Sequence, residues 1–151
     1  MIWLIGYGNP GRGDDGLGPA LAARFMDVPG LKVAIDYQLT VDHALQIANA
    51  ETVIFADALM GSEGPFHFVK ATPSTAHDVT SHSLSPEAVL ALCATLFGRV
   101  PEAFVLGVAG SAFGAVKEGL SDAAQQNLTL AEAHLRGWLT QHAPAGGLAH
   151  A

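Results

Sequence analysis

Apolar positions along the chain switch between two spacings. Ile2–Ile5, Leu31–Ile35, Thr52–Ala56 and Ala103–Val108 are short, mostly apolar runs, the pattern of strands buried on both faces of a parallel sheet. Phe66–Val69 is a fifth such run, close to Gly61, Gly64 and Pro65. Its connection from Thr52–Ala56 is too short for a crossover helix, so an antiparallel strand is expected there. Between these runs the apolar residues recur at helical spacing: Leu17, Ala20, Leu21 and Phe25; Val41, Ala44, Leu45 and Ala48; Val89, Leu90, Cys93 and Leu96; Leu128, Leu135 and Leu139. Ser85 suits an N-cap with Pro86 at the first helical position, and Ser121-Asp122 opens the last helix. The order βαβαββαβα predicts one α/β domain with three layers, α/β/α, around a mostly parallel, mixed five-stranded sheet. The domain is expected over residues 1–139. Residues 140–151, rich in Ala, Gly, His and Pro, are expected to form a flexible tail.

Composition narrows the class. Half of the 151 residues are apolar and only 14% are charged, which excludes a disordered chain and a coiled coil. Fourteen acids against seven Lys and Arg leave a net charge of −7. That balance argues against nucleic acid, whose binding needs a basic surface. A single cysteine, Cys93, cannot build a disulfide framework or a cysteine zinc site. Its place on the apolar side of a helix predicts a small buried hydrophobe. The first strand meets Gly6 with no basic leader and no long apolar segment, so a cytoplasmic protein without a membrane span is expected.

Chemistry concentrates at the ends of the strands. Gly6-Tyr7-Gly8-Asn9-Pro10-Gly11 matches G-x-G-x-x-G, and Asp36 ends the second strand, where a dinucleotide site would place a ribose-binding acid. Three features oppose that reading. Pro10 removes one N–H, Arg12-Gly13-Asp14-Asp15-Gly16 delays the helix, and two carboxylates would repel a pyrophosphate. A tight turn accounts for one or two glycines, not for six between Gly6 and Gly18 around two adjacent acids. Asp14 or Asp15 can cap the helix, but not both, so one is expected to be free for chemistry. Asp57 closes the third strand, at the edge where parallel sheets bind ligands. His82 stands in a loop before the third major helix. Asp15, Asp57 and His82 together offer two oxygens and an imidazole, a reasonable set for a divalent transition metal. His43 and His67 are expected to be structural or surface groups, and His134 and His142 solvated.

Gly6-Tyr7-Gly8-Asn9-Pro10 followed by Gly13-Asp14-Asp15-Gly16-Leu17-Gly18 resembles the opening of the hydrogenase maturation endopeptidases. Asp57-Ala58 is similar to that family's second signature, Ser81-His82-Ser83-Leu84 to its third, and Gly119-Leu120-Ser121 to a weaker fourth. The resemblance spans roughly residues 2 to 139. It implies a phosphorylase/hydrolase-like twisted mixed sheet between helices. It also implies removal of a C-terminal extension from the precursor of a nickel–iron hydrogenase large subunit after nickel is loaded. Carried over by motif, Asp15, Asp57 and His82 contact a nickel ion supplied by the substrate, Asp15 and Asp57 serve catalysis, and no resident organic cofactor is needed. Asp14 or Asp57 would act as general base. Many relatives carry an acid shortly after the last strand, where this chain reads Gly107-Val108-Ala109-Gly110. Two alternatives share features of the pattern. Peptidyl-tRNA hydrolases also open with Gly-x-Gly-Asn-Pro-Gly but need a histidine where this chain has Gly13-Asp14-Asp15-Gly16. A non-catalytic maturation chaperone would use the same three ligands without cleaving.

Overall fold

The computed structural model describes residues 1–61, 63–75, 84–114 and 118–142. Among these residues five strands form one sheet: β1 (Ile2–Tyr7), β2 (Leu31–Asp36), β3 (Thr52–Met60), β4 (Phe66–Ala71) and β5 (Glu102–Gly110). Their spatial order is β2-β1-β3-β5-β4. All neighbours run parallel except β4, which is antiparallel to β5, with Phe66 opposite Val108. Among the described residues, four helices cover the sheet: α1 (Leu17–Ala23), α2 (Val41–Ile47), α3 (Pro86–Phe97) and α4 (Asp122–His142). A single 3-10 turn, Gly13–Gly16, precedes α1.

Alternation along the strands sends side chains to two cores. Ile2, Leu4, Ile54, Ala56, Leu106 and Val108 pack beneath Leu17, Leu21 and Phe25 of α1 and its C-terminal extension, and Leu128, Leu135 and Leu139 of α4. Ile5, Val53 and Phe55 face Ala44 and Ile47 of α2, and Val89, Leu90 and Cys93 of α3. Cys93 is fully buried and its Sγ lies 3.6 Å from the Ala44 carbonyl, a packing role as expected. Ser85 caps α3 by accepting the Ala88 N–H at 3.1 Å, with Pro86 in the first turn. α2 is closed by a capping box. The Thr40 N–H donates to Nδ1 of buried His43, whose Nε2–H then donates to Asp36 at 2.8 Å.

Two boundaries differ from expectation. β3 does not end at Asp57 but continues to Met60, because β5 is equally long and pairs with it through Met60 and Gly110. α4 runs to His142, past the expected domain edge at residue 139. The His142 ring stacks on Trp138 at 4.3 Å and its Nδ1 meets the Trp138 carbonyl at 2.8 Å, which extends the last turn. His134 lies against the rings of Phe66 and Phe68, an edge contact as well as a solvated one. Residues 143–151 lie outside the described residues.

Among the described residues, no helix is long and apolar enough to cross a membrane.

Candidate active site

The sheet order locates the crevice. The chain leaves β1 for β2 on one side and returns to β3 on the other, so the topological switch falls between β1 and β3, where open α/β sheets bind ligands. Pairing of β1 with β3 stops at Gly6 and Ala56. The next residues, Tyr7 and Asp57, stand at the mouth of the gap, on the α2/α3 face by strand alternation.

Glycines bring the acidic turn to this mouth. A Cβ on Gly18 would lie 2.5 Å from the Ala56 carbonyl oxygen and closer still to that of Tyr7. Only glycine lets the first turn of α1 rest directly on the backbones of β1 and β3. Gly8 has φ near +142°, and a Cβ there would run into the Asp15 carbonyl. The loop after β1 and the turn before α1 are thereby pressed together, with Asp15 between the strand ends.

The adjacent acids have different fates, and neither caps a helix. Asp14 is fully buried. Its Oδ2 accepts the Ser111 and Ala112 N–H groups, each at 2.8 Å, and the Ser121 hydroxyl at 2.7 Å; its Oδ1 accepts the Ser121 N–H at 2.8 Å. Burial alone would raise its pKa, but the bonds from Ala112, Ser121 and Ser111 outweigh that and hold the carboxyl below the usual carboxylate range. Asp14 is therefore a structural clamp between the 3-10 turn and the β5–α4 connection. The general-base role open to it on sequence grounds finds no support here: the carboxylate is fully buried and takes four hydrogen bonds from the β5–α4 connection. Asp15 is half-buried and lines a cleft of about 280 Å³ together with Tyr7, Gly8, Tyr37, Gln38, Leu39, Asp57 and Leu84. Its Oδ2 accepts the Asn9 N–H at 2.8 Å, and no other described residue donates to it.

Asp57 faces Asp15 across this cleft. The Tyr7 hydroxyl donates to its Oδ2 at 2.9 Å and the Ala58 N–H to its Oδ1 at 2.7 Å. Burial pushes its pKa up. The negative charges of Asp15 and Glu87 push the same way, and the two hydrogen bonds offset only part of this. Tyr7 is driven well above the ordinary phenol range, first by burial and then by Asp57, so its proton stays on and points at the carboxylate.

The structure thus brings together two of the three expected ligands. The third, His82, lies outside the described residues. Leu84, two positions later, lines the cleft and bridges Leu39 by donating its N–H at 3.2 Å. Among the described residues, no group of three or more His, Cys, Asp or Glu side chains could hold a metal ion by itself. Tyr7 escaped the sequence: it occupies the unread position of Gly-x-Gly, yet lines the cleft. Glu87, in the first turn of α3, does not line it and acts on Asp57 only through its negative charge.

No protein-family profile and no curated protein matches the chain. Solved structures do. It superposes on the hydrogenase maturating endopeptidase HybD from E. coli at 17% identity, covering 95% of this chain and 94% of that one, with a TM-score of 0.75. The [NiFe] hydrogenase maturation protease HycI from Thermococcus kodakarensis matches at 23% identity over 90% of both chains, with a TM-score of 0.68. The hydrogenase 2 maturation peptidase from Thaumarchaeota archaeon SCGC_AB-539-E09 matches at 20% identity, over 92% of this chain and 97% of that one, with a TM-score of 0.64. With its mixed sheet between two helical layers and its acidic cleft at the β1/β3 switch, this chain has the fold of the hydrogenase maturation proteases.

Proposed function

We propose that the protein is a hydrogenase maturation endopeptidase. In this reading it removes the C-terminal extension from the precursor of a nickel–iron hydrogenase large subunit after nickel insertion, in the cytoplasm. The observation that carries the reading is the meeting of Asp15 and Asp57 in one cleft of this fold. Asp15 keeps an oxygen that no described residue engages, and among the described residues each Asp57 oxygen carries a single donor, leaving lone pairs for a cation. Hard carboxylate oxygens with an imidazole from His82 fit a divalent transition ion, here the nickel borne by the substrate. Bound beside the scissile bond, that ion would act as a Lewis acid on the carbonyl.

The chain's own groups do the rest. Tyr7 and the Ala58 N–H fix the rotamer of Asp57, so its carboxylate is presented without reorganisation. One carboxylate oxygen of Asp57 takes the proton of the attacking water. Asp15, held by the Asn9 N–H, contributes the second charge. Coordination makes nickel loading the condition for cleavage, since only the loaded precursor is held in position.

The test is processing of purified precursor, with and without nickel, by the wild-type protein and by Asp15→Asn, Asp57→Asn and His82→Ala. Nickel-dependent cleavage, lost in each variant, is expected. Equal cleavage of nickel-free precursor would refute metal gating, and full activity of His82→Ala would remove that residue from the site.

A further inference from the structure

The loop between β2 and α2 forms part of the acidic cleft: Tyr37, Gln38 and Leu39 line it together with Asp15 and Asp57. One imidazole ties both ends of this loop. The His43 ring is 4% exposed. Its Nδ1 accepts the Thr40 N–H at 2.9 Å where the loop enters α2, and its Nε2 lies 2.8 Å from Asp36 Oδ2 where the loop leaves β2. We propose that His43 is a positioning residue for the cleft: as the neutral Nε2–H tautomer it holds this wall in place, and protonation of the ring releases it. The proposal rests on the endopeptidase reading only for its effect on processing; the wall and its release belong to the chain itself.

The hydrogen bonds settle the tautomer. A backbone N–H can only donate, so Nδ1 presents a lone pair, and the proton of a neutral ring sits on Nε2, facing the Asp36 carboxylate. The ring thereby stands in for the Glu or Gln of an ordinary capping box and also reaches back to the strand. A proton added at Nδ1 sets two donors against each other. The Thr40 hydroxyl, 3.4 Å from Nδ1, already takes the Asp42 N–H, and the Thr40 N–H is left without an acceptor among the described residues. A buried donor in that position is costly, so the imidazolium keeps Asp36 and lets the helix end go. The loop's other ties are the Asp36 carbonyl, which accepts the Gly8 N–H at 3.1 Å, and the Leu39 carbonyl, which accepts the Leu84 N–H at 3.2 Å. Tyr37 and Gln38 between them carry no side-chain hydrogen bond among the described residues, so their position follows from the loop's ends. The titratable and charged groups around the ring are Asp36 from β2, Tyr37 from the loop and Asp42 from α2 itself. The packed helix α3 brings Cys93 to Ala44 and Arg99 to Ala48 and carries Glu87 in its first turn. Tyr7 and Asp57, on the same face of the sheet, are bonded to each other. Asp36 alone among the described residues forms an ion pair with the ring.

The experiment follows the full chain between about pH 5 and pH 8, where histidines titrate. It reads the nitrogen NMR shifts of the His43 ring, the protection of the Thr40 amide against hydrogen exchange, and the kinetics of processing with nickel-loaded precursor. At the alkaline end the ring should report the Nε2–H tautomer. On acidification Thr40 protection should fall roughly tenfold, the worth of one hydrogen bond, with the midpoint of the ring's own titration, and KM should rise over the same step. His43→Gln keeps an acceptor for the Thr40 N–H and has nothing to titrate. Its Thr40 protection and its KM should stay level, while the fall in kcat that comes from Asp57 is common to both proteins. A ring carrying its proton on Nδ1, a ring that does not titrate, or a Thr40 amide that ignores the titration overturns the proposal, and these readings need only the wild-type chain. An equal acid step in His43→Gln overturns it as well. If the wild type cleaves no loaded precursor, the endopeptidase reading fails, while the ring and the amide still decide the release.

Discussion

Replacing Asp14 by Asn separates two neighbouring acids that look alike in sequence. Asn keeps one oxygen. With that oxygen on the Ser111 and Ala112 N–H groups and the Ser121 hydroxyl, its NH2 faces the Ser121 N–H, donor against donor. A buried donor left unsatisfied costs about 1–3 kcal/mol. The remaining bonds also fall from charge-assisted to neutral, to roughly half their strength. A loss of about 3 kcal/mol follows, and at roughly 2–4 °C per kcal/mol for a chain of this size the midpoint drops by about 6–12 °C. Asp15→Asn disturbs one bond in a half-open cleft and should cost less than about 1 kcal/mol, while abolishing processing. Thermal unfolding followed by circular dichroism measures both. The pH dependence gives a second check. The folded-state pKa of Asp14 is depressed, so its contribution is complete above the unfolded value of about 3.9 and is lost as pH falls through the lower folded value. The gap between wild type and Asp14→Asn should narrow at about pH 3 relative to pH 7. A variant melting within about 2 °C of wild type at neutral pH would refute the clamp.

Further outcomes follow from single contacts. Gly18→Ala should destabilise by at least about 2 kcal/mol, because its Cβ collides with the Tyr7 and Ala56 carbonyls; Gly to Ala in an open helix would stabilise, so an unchanged or raised melting temperature overturns the close-packing argument. Tyr7→Phe should cost about 1 kcal/mol and move the acid limb of the processing profile to higher pH, since the lost hydroxyl favoured ionised Asp57; an unmoved limb would show that Asp57 does not need this donor. Asp57→Asn should melt at or above the wild-type temperature near neutral pH, where a raised pKa penalises the charged form, and a clear loss of stability would contradict that sign.

The layers, the strand count and the antiparallel β4 were legible because apolar runs and helical spacings alternate cleanly and Ser85-Pro86 marks a helix start. The ends were less so. Asp57 reads as a strand terminus, yet β3 continues because β5 offers backbone partners through Gly110, a pairing that side-chain pattern does not encode. Helix α4 outlasts its apolar stripe because a histidine stacks on a tryptophan one turn earlier. At the site, Asp15 and Asp57 were legible as loop and strand-end acids. The division of labour between Asp14 and Asp15 was not, since the donors that claim Asp14 are mostly backbone N–H groups about a hundred residues away. The charge of Glu87 on Asp57 was hidden for a similar reason: its first-turn position has an ordinary explanation in the helix dipole.

That reach across the chain sets an order of assembly. Closing a loop of about 100 residues costs on the order of 4 kcal/mol in chain entropy, so the bonds to Asp14 form only once β5 and the start of α4 are in place. During synthesis the acidic turn emerges first and waits, unanchored, until Ser121 has left the ribosome. The cleft beside it is lined by residues between Tyr7 and Leu84, so the acidic turn is anchored by a part of the chain that supplies nothing to the cleft's walls.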